Sequence, residues 1–103
     1  MEKILILAPH TDDGEIGCGA TIAKFVKQKK EIFYVAFSIA EESVPEKFPK
    51  NILEAEVKLA TKVLGIKPEN LFIKKYKVRH FPHFRQEILE EMVILDKEIT
   101  PDL

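Results

Sequence analysis

Three short apolar runs, each rich in β-branched or aromatic residues and each followed by a segment of helical periodicity, constrain this chain more than any other feature. The runs are Ile4-Leu5-Ile6-Leu7, Ile32-Phe33-Tyr34-Val35-Ala36-Phe37 and Leu71-Phe72-Ile73. Runs without polar alternation suit strands buried on both faces of a sheet. Between them, Ile16, Ala20, Ala23, Phe25 and Val26 in 15–30 lie near helical spacing, with Lys24, Lys27, Lys29 and Lys30 toward the end that favours cations. Ile52, Ala55, Leu59, Ala60, Val63 and Leu64 keep the same period until Gly65, a residue suited to a left-handed C-terminal cap. A third helix over 84–99 carries Ile88, Leu89, Met92 and Leu95 on one face and stops at Thr100-Pro101. Strand and helix thus alternate three times, which predicts right-handed crossovers, a mainly parallel sheet and helices on its faces. The expected architecture is α/β, Rossmann-like and three-layered.

Length agrees with one such unit. The 103 residues read as a single α/β domain, 1–103, and the last helix ends at Pro101-Asp102-Leu103, where a further strand is due. The chain therefore reads as truncated before its fourth strand. Hydrophobic residues make up 46% and charged residues 32%, enough for a core and a solvated surface. A formal charge of −1 supplies no basic excess for nucleic acid or an anionic membrane. The N-terminal apolar run is too short for a signal peptide or a membrane span. One cysteine, Cys18, forms no internal disulfide, so a cytoplasmic setting is expected. Lys and Glu number 27 against four Asn and Gln, a bias that points to a thermophilic source.

Ligands of open α/β sheets bind outside the carboxyl ends of the strands. After the first strand stands Pro9-His10-Thr11-Asp12-Asp13-Gly14-Glu15-Ile16-Gly17-Cys18-Gly19. An imidazole and a carboxylate can hold a divalent ion, and a second carboxylate beside them can take a proton from water. The same residues could instead be a core histidine and helix-capping aspartates. Gly14, Gly17 and Gly19 do not follow the G-x-G-x-x-G order of a dinucleotide site, and two carboxylates would repel a pyrophosphate. A phosphoacceptor receiver needs an aspartate after the third strand, where Lys74-Lys75-Tyr76 stands. Cys18 reads as a small packing residue rather than a nucleophile.

The segment resembles the hallmark A-H-P-D-D-E of the LmbE-like, or PIG-L, zinc-dependent N-acetylglucosaminyl deacetylases. Glu56, Ala60 and Leu64-Gly65 resemble the family's second helix, and Arg79-His80-Phe81 with Arg85-Gln86-Glu87-Ile88-Leu89 resembles the segment before its fourth strand. The resemblance implies that His10 and Asp13 ligate one zinc ion, that Asp12 is the general base, and that a third protein ligand lies beyond Leu103. It makes the chain the N-terminal portion of a longer deacetylase domain. Its substrate would be a small N-acetylated molecule of the N-acetylglucosamine type. Thr11 and Gly14 replace a proline and a glutamate of the pattern, and Leu53 stands where many members carry an arginine. Arg79, Arg85 and Glu42 are candidate substrate contacts, with paired or solvated surface roles as the alternatives. His80 and His83 read as solvated residues before the third helix. An open sheet edge predicts a homo-oligomer. Other readings of the same loop are a metal-dependent phosphoesterase and a catalytically idle binding module.

Overall fold

A computed structural model describes residues 2–10, 13–39 and 44–103. Strand β1 (Lys3–His10) leads to helix α1 (Asp13–Lys27), strand β2 (Glu31–Ser38), helix α2 (Ile52–Leu64), strand β3 (Leu71–Ile73) and helix α3 (Arg85–Ile99). Short 3₁₀ segments, Pro68–Asn70 and Val78–Phe84, precede β3 and α3. All three strands are parallel, in the order β1-β2-β3, with Ile4 opposite Ile32, His10 opposite Ser38 and Val35 opposite Phe72. The α/β architecture expected from the alternation is the one observed.

The sheet buries both faces, which is why its strands lack polar alternation. Ile4, Ala8, Ile32, Tyr34 and Ala36 pack with Ile22 of α1 and Val57 of α2. Val35 and Phe37 pack on the other face with Leu95 and Ile99 of α3. Helices therefore cover the sheet from both sides, in three layers. Among the described residues, no helix is long and apolar enough to cross a membrane.

The first strand and first helix begin or end away from where the sequence reading placed them. The first strand runs to His10, past Pro9, although proline lacks the N–H of a ladder. The Glu31 N–H donates to the Glu2 carbonyl at 2.9 Å, so even-numbered residues of β1 turn their backbone groups toward β2. Pro9, an odd position, turns its nitrogen away from that ladder, which loses no bond. The first helix begins at Asp13, two residues earlier than its apolar periodicity announces.

The C-terminal residues complete the topology. Leu5 N–H donates to the Leu103 carbonyl at 2.8 Å, and Asp102 N–H donates to the Lys3 carbonyl at 2.7 Å. The Asp102 carboxylate accepts from Lys3 N–H at 2.8 Å. These are odd positions of β1, so residues 102–103 pair with the edge opposite β2, in the parallel sense. The chain winds outward from β1 through β2 to β3, then returns behind α3 to the far side of β1. Such a reversal is the topological switch point of a doubly wound sheet, and it opens a crevice at the carboxyl end of the strand where it occurs.

Candidate functional site

That strand end carries His10. It is the last residue of β1, half-buried, and its ring lies against Phe81, with centroids 6.2 Å apart and planes 17° apart. Phe81 belongs to the 3₁₀ segment after β3, far from His10 in sequence, and the parallel sheet brings the two strand ends together. Phe81 also helps to line an apolar cavity of about 200 Å³, together with Leu7, Ala8, Pro9, Phe37, Ile88 and Met92. The imidazole thus stands at a strand end with an aromatic ring beside it.

Asp13 is the first residue of α1. Asp12 and Glu42 lie outside the described residues. Arg79 falls within the Val78–Phe84 segment, and Arg85 opens α3 with its side chain exposed. Among the described residues, no group of three His, Cys, Asp or Glu stands close enough to hold a metal ion. Gly14, Gly17 and Gly19 all lie inside α1 rather than in a loop before it, unlike a loop that cradles a pyrophosphate.

Phe81 is the residue that sequence reasoning missed. An aromatic after an apolar strand carries no signal of its own, and only the closeness of the β1 and β3 ends gives it a role. The segment holding Phe81 also carries His80 and His83, whose ring centroids are 5.8 Å apart. Both are exposed, as expected of residues before the third helix.

A doubly wound α/β unit with a histidine and an aspartate flanking its switch point is the class that fold and site define. Residues 5–103 match the family described as PIG-L, GlcNAc-PI de-N-acetylase, and the chain belongs to that family. Its fold is similar to N,N'-diacetylchitobiose deacetylase from Pyrococcus horikoshii, at 28% identity and a TM-score of 0.81, covering 98% of this chain and 39% of that one. A conserved protein from Thermus thermophilus is also 28% identical, with a TM-score of 0.62 over 74% of this chain and 33% of its own. The 4-carboxy-2-hydroxymuconate hydratase of Pseudomonas putida, 17% identical with a TM-score of 0.72 over 98% of this chain and 45% of its own, shares the fold. The chain spans less than half the length of each of these proteins.

Proposed function

We propose that this chain is the N-terminal, metal-binding part of a zinc-dependent hydrolase that removes the N-acetyl group from an N-acetylglucosamine-type amino sugar or a related small amide. The observation that carries this reading is the position of His10, at the carboxyl end of β1 where the sheet reverses direction, three residues before the start of α1. Membership of a de-N-acetylase family and likeness to a chitobiose deacetylase support it.

The donor chemistry suits zinc: an imidazole with Phe81 beside it, and an aspartate at the first position of a helix. His10 and Asp13 would hold the ion. A catalytic zinc usually takes three protein ligands, so the reading requires one more donor. When bound, zinc supplies a Lewis acid for the acetamide carbonyl and lowers the pKa of a water. Asp12 accepts a proton from the attacking water and passes it to the departing amine, so the products are amine and acetate. Arg79, Arg85 and Glu42 contact the sugar. The enzyme works in the cytoplasm.

Elemental analysis of protein grown with zinc, paired with an assay of amine release from N-acetylated amino sugars, tests the reading. One zinc per chain is expected, and His10→Ala should abolish it. Undiminished zinc in that variant would sink the ligand assignment, and zinc-loaded protein that releases no amine from such sugars would sink the activity.

A further inference from the structure

The 3₁₀ segment that sets Phe81 beside His10 also borders a second opening. A cleft of about 540 Å³ is lined by Lys75, Tyr76, Lys77, His80, His83 and Phe84. Four of these six are basic, and Tyr76 and Phe84 form an aromatic wall with centroids 5.4 Å apart. A chain of net charge −1 has no general surplus of cations to scatter here.

The acids nearby lie outside the lining. Glu87, Glu90 and Glu91 influence the Tyr76 hydroxyl from α3, but none lines the cleft. Glu91 pairs with Lys74 at 3.3 Å, Glu54 pairs with Lys75 at 3.6 Å, and Glu90 accepts from Gln86 at 3.4 Å. Lys77, His80 and His83 have no acidic partner among the described residues. A cation entering the cleft would meet two imidazoles flanked by two ammonium groups. No third His, Cys, Asp or Glu among the described residues joins the pair. An anion meets Lys77, His80 and His83, with Lys75 held by Glu54 at the margin, and the aromatic wall gives a sugar ring a face to lie on.

We infer that this cleft is an anion-binding subsite beside the His10 centre, taking a carboxylate or phosphate group carried by the substrate. The inference rests on the proposed function for the word substrate, and its anion site stands on the cleft alone. It assigns Lys77, His80 and His83 to selecting a charged amino sugar over a neutral one.

The three histidines allow a direct test by proton NMR of their imidazole C–H signals, assigned with single His→Gln variants. The protein is titrated with inorganic phosphate, and separately with acetate, at about pH 6.5, with ionic strength held constant by sodium chloride. The His80 and His83 signals should shift and saturate while His10 stays in place. Lys77→Ala should weaken binding by ~3-fold, the scale of one exposed charge. Saturation with phosphate alone identifies a phosphate ester as the ligand chemistry, and saturation with both anions supports either group. Shifts that never saturate, that move all three histidines alike, or that ignore Lys77→Ala would overturn the subsite. The titration reads no hydrolysis, so protein that saturates with phosphate yet releases no amine retains the subsite and loses the deacetylase reading.

Discussion

A tyrosine hydroxyl facing carboxylates holds its proton tightly. Burial, the hydrogen bond that Tyr76 donates to Glu91, and the charges of Glu91, Glu87 and Glu90 together push its pKa from the usual 10.0 up to about 12. The unfolded chain loses this proton first, so the stabilisation is fully present below pH 10 and is lost as pH rises toward 12. Urea unfolding between those values should show stability falling with pH, and Tyr76→Phe should flatten the slope. An equal slope in the variant would place the alkaline loss elsewhere. At the site, Asp12→Asn should keep zinc while slowing amine release by at least ~10²-fold, the scale of a lost general base. A variant with full turnover would move that role to another residue.

Elements here end where backbone conformation requires it. Helix α2 closes on Gly65 at φ 91°, and its N–H donates to the Lys62 carbonyl at 3.1 Å. A Cβ at this position would lie 2.7 Å from Val26 Cγ1, so an alanine would meet both backbone strain and a neighbouring helix. Gly65→Ala should therefore cost about 1–3 kcal/mol, read as a lower urea midpoint at unchanged m-value. Helix α3 stops in the same left-handed conformation at Thr100, φ 49°, and Pro101 follows it. That stop turns the chain toward β1, where Asp102 and Leu103 pair. The cap of one helix thus helps to create the reversal at which His10 sits.

At the scale of the molecule, apolar side chains stay exposed on β1 and α3. Residues 102–103 bond at Lys3 and Leu5, and Leu7 beyond them is 45% exposed. Leu89 and Val93, one turn apart on α3, are exposed by similar amounts. Exposed apolar side chains favour association with another chain. Sedimentation at micromolar concentration should show dimers or larger assemblies, and Leu7→Lys should shift them toward monomer. A monodisperse monomer in the unsubstituted protein would rule out this association.

The elements were legible in the sequence because burial on both faces leaves an uninterrupted apolar run, and burial on one side of a helix leaves a 3.6-residue period. Ile32 to Phe37 and Ile52 to Leu64 announce themselves in this way. His10 and Asp13 were legible as candidates because few side chains bind metals and ligands gather at strand ends. Strand order was not, since nothing local in 102–103 says that it pairs with Lys3 and Leu5. Nor does local sequence bring Phe81 to His10. Local residue pattern determines which segments become strands and helices, because it sets what each can bury. Only the tertiary structure decides which ends meet, because those contacts join residues some 70 to 100 positions apart, across which periodicity carries no information.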